Sequence, residues 1–196
     1  DGLWGAGGVT PGGEGGAVES YVVFGSDEGF GKSLNLGSLG DKGFRIDGID
    51  EDDYSGGSVS SAGDVNGDGF DDVIIGAYGA DPDNLSGAGE SYVVFGNSGG
   101  FVASLNLSTL NGTTGFRIDG IDEDDFSGYS VSSAGDVNGD GFDDVIIGAY
   151  GAYGAADESY VVVVRALRFD ETTNLSTLNG TDGFRPGVPD SVEADR

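Results

Sequence analysis

Residues 44–80 and 116–152 are the same sequence written twice, 72 positions apart; over those 37 positions only Tyr54/Phe126 and Gly57/Tyr129 differ. A chain that repeats itself at this length folds as an array of one supersecondary unit, because a single copy cannot bury its own apolar face. The flanks extend the repeat. Ser20-Tyr-Val-Val-Phe-Gly25 returns as Ser91-Tyr-Val-Val-Phe-Gly96 and then as Ser159-Tyr-Val-Val-Val163. Leu105-Asn-Leu-Ser-Thr-Leu-Asn-Gly112 returns, nearly intact, from Asn174 to Gly180. The unit is therefore 68 to 72 residues long. Sliding Asp1-Gly-Leu-Trp-Gly-Ala6 by 71 residues lays it on Asp72-Val-Ile-Ile-Gly-Ala77, so this sequence opens in mid-unit. Four divisions follow: a partial unit with its connection over 1–42, full units over 43–114 and 115–164, and a degenerate partial repeat over 165–196.

Each unit reads as four short strands, typified by Gly43–Asp47, Ser58–Gly63, Asp72–Ala77 and Ser91–Phe95. They are rich in β-branched and aromatic residues and bounded by glycine or acidic turns. Helical periodicity is absent, and 40 glycines would tax any helix. The fold class expected is all-β, in four-stranded blades of the propeller type, with an incomplete set in this chain. A parallel β-solenoid is the alternative, but its rungs are usually shorter.

The loop between the second and third strands carries the chemistry. Asp64-Val-Asn66-Gly-Asp68-Gly69-Phe70-Asp71-Asp72 recurs as Asp136-Val-Asn138-Gly-Asp140-Gly141-Phe142-Asp143-Asp144. Side-chain oxygens at alternate positions, with a glycine for the sharp turn, describe a socket for a hard cation. Calcium accepts about six to eight oxygen ligands on a flexible loop, whereas magnesium demands a tighter octahedron. The candidate ligands are Asp64, Asn66, Asp68 and Asp72 with the Phe70 carbonyl, and Asp136, Asn138, Asp140 and Asp144 with the Phe142 carbonyl. A pair of plain Asn-Gly and Asp-Gly turns explains less, since a turn needs no further aspartate at its ninth position. An EF-hand is excluded, because its flanking helices are missing and Ile75 and Ile147 stand where that loop needs glutamate.

Composition narrows the function classes. Eight basic against 35 acidic residues give a formal charge of −27. Such a surface excludes nucleic acid and anionic membranes as partners and favours divalent cations. Two divalent ions would offset only about four of those charges, so most of the acid lies in solvent. Neither cysteine nor histidine is present, which removes disulfides, thiolate metal sites and the usual general base. No apolar run approaches the ~18 residues of a membrane span. The sequence lacks methionine and begins at Asp1, which reads as a processed product or an excerpt.

Other candidates take blander readings. The acidic clusters Asp47–Asp53 and Asp119–Asp125 read as solvated turns rather than as second cation sites or a partner-binding rim. Paired carboxylates suit glycoside hydrolysis, but carboxylates duplicated in every unit, at cation-ligand spacing, argue against an active site. No enzyme is expected. Tyr21, Tyr92 and Tyr160, with Tyr78 and Tyr150, read as packing between sheets rather than as sugar platforms, and Trp4 reads as buried. Asn84, Asn106, Asn111, Asn174 and Asn179 begin glycosylation sequons.

The run Gly63-Asp-Val-Asn-Gly-Asp-Gly-Phe-Asp-Asp-Val-Ile-Ile-Gly-Ala77, repeated to Ala149, resembles the FG-GAP repeat, the unit of the integrin alpha β-propeller and of many bacterial surface proteins. The resemblance covers residues 1 to about 163. It implies a calcium ion in each loop, extracellular or cell-surface display, and a role in adhesion or scaffolding. Tyr54-Ser-Gly56 and Phe126-Ser-Gly128 replace the family's Phe-Gly element, and fewer than three units are present where a propeller needs about four to eight blades. The expected partner is a protein or glycan at a surface. The alternative is a self-assembling subunit of a filament or surface layer, pairing with copies of itself through unpaired strand edges at its termini.

Overall fold

The computed structural model describes residues 3–6, 18–151, 158–162, 172–175 and 183–184. Among the described residues thirteen strands form three sheets. The first comprises β1 (Leu3–Ala6), β2 (Glu19–Val23), β3 (Gly43–Asp47) and β7 (Ser104–Asn106), in that order. The second runs β4 (Ser58–Gly63), β5 (Asp72–Ala77), β6 (Glu90–Val94), β8 (Gly115–Asp119) and β12 (Thr172–Asn174). The third runs β9 (Ser127–Gly135), β10 (Asp144–Ala149), β11 (Glu158–Val162) and β13 (Gly183–Phe184). Among the described residues the only helical pieces are short 3-10 turns, and no helix is long and apolar enough to cross a membrane. The side chain of Trp4 lies outside the described residues.

The sheets run out of step with the sequence units at 43–114 and 115–164. Gly43–Asp47 pairs with β2 of the preceding unit, and Gly115–Asp119 pairs with β6, so each sheet is closed by the first strand of the unit that follows. The reason is steric and electrostatic. A Cβ on Gly43 would lie 2.0 Å from the Val22 carbonyl oxygen, and one on Gly115 would lie 2.1 Å from that of Val93, so glycine permits each close approach. Two residues further on, Arg45 stands opposite Tyr21, and Arg117 opposite Tyr92. Arg45 pairs with Glu19 at 3.1 Å and Asp47 at 2.5 Å. Arg117 pairs with Glu90 at 3.4 Å and Asp119 at 2.6 Å. The tyrosine hydroxyls donate to the same glutamates.

A second departure lies in the connections. Ser104–Asn106 and Thr172–Asn174, which lie outside the four strands expected of a unit, form parallel strands on the outer edges of the preceding sheets, against Arg45–Asp47 and Arg117–Asp119. The stretch 165–196, expected as a decayed repeat, thus contributes strands to two sheets. Asn106 initiates the turn after β7 by accepting the Ser108 N–H at 2.9 Å.

The sheets stack face to face, and period-two alternation splits each central strand between two cores. Val73, Ile75, Ala77, Tyr92 and Val94 pack toward Val22, Phe44 and Ile46 of the first sheet, with Leu107 in the same cluster. Ile74, Val93, Phe95, Phe116 and Ile118 pack toward Val131, Val145, Ile147 and Tyr160 of the third, with Leu175. That double burial is why Val73-Ile-Ile75 is continuously apolar rather than alternating. Tyr92 and Tyr160 are core residues as expected, each 1 % exposed.

Glu90 and Asp119 are almost fully buried beside Arg117, and burial pushes both carboxyl pKa values up. The folded state therefore favours their neutral forms, a contribution that is complete at acid pH and lost as pH rises through the raised values. Arg117→Ala is expected to cost about 2–4 kcal/mol at pH 8, since it strands two buried carboxylates. The deficit should shrink toward pH ~4 as they protonate. Arg45→Ala, with more open partners, should cost about 1 kcal/mol or less. Urea titration of the variants across that pH range measures all three.

Candidate functional site

The two acidic loops join the innermost strand of a sheet to its neighbour. Each is organised around its first aspartate. Asp64 Oδ1 accepts the N–H groups of Gly67 at 2.8 Å and Asp68 at 3.0 Å, and its Oδ2 accepts that of Gly69 at 2.9 Å. Asp136 repeats this with Gly139, Asp140 and Gly141 at 2.7, 3.0 and 2.9 Å. Wrapping the chain so tightly puts Gly67 and Gly69 at φ +75° and +89°, and Gly139 and Gly141 at +76° and +92°, where a side chain is strained. The Gly141 N–H, joined by those of Gly139 and Asp140, holds the Asp136 carboxyl below its ordinary range.

The other expected ligands divide into two kinds. Asp68 and Asp140 are exposed, and each accepts the N–H of the phenylalanine two residues on, at 2.9 and 3.1 Å. Asn66 accepts the Asp68 N–H at 2.8 Å, whereas Asn138 turns its amide toward Asp144 at 3.4 Å. Asp72 and Asp144 are fully buried. Asp72 accepts the Val65 N–H at 2.9 Å and the Gly96 N–H at 2.8 Å, fastening the loop to the end of β6. Burial nonetheless raises its carboxyl to about 7. Asp144 accepts the Val137 N–H in the same way at 2.9 Å. Among the described residues no three acidic side chains converge on one point as they stand. The donor chemistry still fits a hard cation: the sets are all oxygen, and a carboxylate offers about four lone-pair sites, more than these N–H groups use.

The loops of neighbouring sheets also interlock. Asp143 reaches across to accept the Asp64 N–H at 2.9 Å, and its own N–H donates to the Asp64 carbonyl at 3.1 Å. The Phe142 ring covers Gly67, leaving 2.3 Å between its Cε1 and a Cβ placed there. The equivalent surfaces on the outer sides are open: Phe70 is 42 % exposed, and Gly139 has nothing within 4 Å.

Six residues of β5, about 20 Å of strand, separate the first loop from a different feature. Tyr54, Tyr78, Phe126, Tyr129 and Tyr150 form an aromatic cluster at the opposite end of the sheets. Tyr54 stacks on Tyr78 at 5.0 Å, Tyr78 meets Tyr129 edge-on at 5.3 Å, and Tyr129 stacks on Tyr150 at 5.0 Å. Exposures of 48 % for Tyr54, 51 % for Tyr129 and 62 % for Tyr150 overturn the core reading of Tyr150. Tyr54 and Phe126 adopt φ +53°, an outlier for so large a side chain. Gly79 and Gly151 leave room for their rings. Both positions at which the duplicated sequence diverges fall in this cluster, a signal present in the sequence but without meaning until the fold brought the residues together.

With chelator present, Gly139→Ala should cost about 1–2 kcal/mol for its left-handed backbone alone. Gly67→Ala should cost distinctly more, because the Phe142 ring must also be displaced. Equal thermal midpoints for the two variants would contradict the interlocking of the loops.

The FG-GAP repeat family matches residues 55–94 and 127–164, stretches that each hold the three inner strands of one sheet and its acidic loop. Integrin alpha-PS2 of Drosophila melanogaster is 36 % identical over 111 residues, covering 54 % of this chain and 7 % of that protein. Integrin alpha pat-2 of Caenorhabditis elegans is 37 % identical over 103 residues, 49 % of this chain and 8 % of its own length. Integrin alpha-5 of Xenopus laevis is 33 % identical over 107 residues, 54 % of this chain and 9 % of its own. The chain thus spans less than a tenth of the length of these relatives. Its sheets are propeller-type blades in an incomplete set, and residues 55–94 and 127–164 are FG-GAP repeats similar to those of integrin alpha chains.

Proposed function

We propose that the chain is an extracellular adhesion module, stabilised by calcium in its two acidic loops, whose ligand docks on the tyrosine cluster. The observation that supports docking there is the confinement of repeat divergence to one place. Two units otherwise identical from Phe44 to Ala80 and from Phe116 to Ala152 differ only where Tyr54, Phe126 and Tyr129 meet. A scaffold position drifts anywhere, whereas a ligand site needs asymmetry where the ligand sits. Stacked, half-exposed tyrosines supply large contact area at low entropy cost and are frequent anchors of recognition. Asp52 and Asp124 border the cluster, and the net charge of −27 favours a neutral glycan or a basic protein surface over an anionic one. Display outside the cell rests on the likeness to integrin alpha chains and on a surface whose acidity suits a calcium-rich medium. The reading is of a binding module, not an enzyme.

Asp64, Asn66, Asp68, the Phe70 carbonyl and Asp72 would hold one ion, and Asp136, Asn138, Asp140, the Phe142 carbonyl and Asp144 the other. Calcium would supply charge neutralisation where acidic loops of adjacent blades meet, and ions that bind only the folded state stabilise it by mass action. At a concentration 100-fold above the dissociation constant the gain is about 2.7 kcal/mol for each site. Thermal unfolding in calcium should therefore exceed that in chelator by several degrees. Asp68→Ala with Asp140→Ala should reproduce the effect of the chelator, and an unchanged midpoint would refute structural calcium.

Docking is checked separately, on calcium-loaded protein. Adhesion to panels of immobilised neutral glycans and basic extracellular proteins should be lost at least tenfold in Tyr129→Ala with Tyr150→Ala, at unaltered melting temperature. Retained adhesion in that variant would place the ligand elsewhere.

A further inference from the structure

The acidic loops of the second and third sheets hold each other through the residues that would carry the ions. A Cβ on Gly63, at φ +77°, would lie 2.1 Å from the Asp143 carboxylate, so glycine lets that side chain cross to the neighbouring loop. There Asp143 accepts the Asp64 N–H at 2.9 Å, and the Asp143 N–H donates to the Asp64 carbonyl at 3.1 Å. Further along the first loop, the Phe142 ring covers Gly67. Gly67 in turn donates its N–H to Asp64 Oδ1 at 2.8 Å. The clasp thus closes on both sides of the aspartate that organises the first loop.

On the second loop, Asp143 stands between two proposed ligands, the Phe142 carbonyl and the Asp144 side chain. Asp144 is fully buried and accepts the Val137 N–H at 2.9 Å, which anchors that end of the segment. Among the described residues no three acidic side chains converge on one point, so an ion must draw its ligands in. Drawing in the second loop moves the segment that grips the first. Drawing in the first moves Asp64, which the second loop holds by two hydrogen bonds.

From this we infer that the two loops take up calcium cooperatively, filling either one tightening the other. The inference rests on the calcium reading above and adds the route by which the sites communicate, from Asp143 to Asp64. An ion in the second loop fixes residues 142–144, and with them the Asp64 backbone and Gly67. The first loop then has less conformational entropy to lose when its own ion binds. The effect is reciprocal, because coupling between two binding sites acts equally in both directions. Repulsion between two dications opposes it. Salt screens that repulsion, with a Debye length of about 3 Å at about 1 M, whereas a clasp of hydrogen bonds and ring contact persists. Blades joined in this way stiffen together over a narrow range of calcium concentration rather than one by one.

Calcium titration of the whole chain at high salt, followed at the Gly69 and Gly141 amide resonances, reads each loop separately. Disabling the second loop with Asp140→Ala should weaken calcium binding at the first by about fivefold or more. Asp68→Ala should weaken binding at the second by the same factor. With Asp143→Ala in place, neither disabling change should affect the other loop. Asp71 holds the same position in the first loop and is exposed, so Asp71→Ala should leave the coupling intact. A further readout needs only Asp68→Ala: calcium at its second loop should slow hydrogen exchange of the Asp64 N–H severalfold. Loops that bind calcium with affinities indifferent to each other overturn the inference. So does coupling that survives Asp143→Ala or fails in Asp71→Ala, or Asp64 exchange that ignores calcium. A chain that binds calcium at neither loop refutes the calcium reading itself, and the coupling with it.

Discussion

No blade of this protein is closed by its own repeat. Among the described residues each sheet borrows an outer strand from the unit that follows, and the first and second sheets also take a short parallel strand from the connection beyond that. This handover is the constraint on which the rest depends. It makes the units mutually necessary, so the apolar faces of β5 and β6 are covered on one side by the unit before and on the other by the unit after. It also fixes the direction of the array, because the segments after β6 and after β11 each run back along the outer edge of the sheet before.

In a chain with eight basic residues, the placement of two of them is informative. Arg45 and Arg117 sit on the borrowed strands, each between a glutamate of the lending sheet's neighbour and an aspartate of its own strand. The scarce positive charge is spent at the seam, where a strand must be recognised by a sheet that is not contiguous with it in sequence. The acidic loops meet at the other seam, near the innermost strands, where Asp143 bonds to the backbone of Asp64 and the Phe142 ring fills the space above Gly67. There a carboxylate of one blade accepts a backbone N–H of the blade before it.

The acidic loops and the aromatic cluster occupy opposite ends of the same strands, so the proposed ion sites and the proposed docking surface lie apart. Loops built from short, self-bonded aspartate turns tolerate little variation, because Asp64 and Asp136 each organise three N–H groups. The tyrosine end is bounded by residues in left-handed backbone, Asp52, Tyr54, Asp124 and Phe126. It carries the only departures between two copies that are otherwise the same from one phenylalanine to the next Gly-Ala.

Much of this was written in the order of residues. The all-β class, the inner strands, the acidic loops and the family followed from a repeat whose glycine and valine spacing leaves no other local structure. Local rules act over a few residues, and a loop such as Asp64–Asp72 is decided within its own nine. What the order of residues left open is which strand pairs with which. Gly43–Asp47 is equally sound as the first strand of one blade or the last of another, and only the close approach of Gly43 to Val22 with the pairing of Arg45 to Glu19 decides for the latter. Likewise Leu36 and Leu107 stand in the same local sequence, and tertiary packing alone buries one and exposes the other. Burial and strand partnership are properties of what lies alongside, and residues distant along the chain supply it.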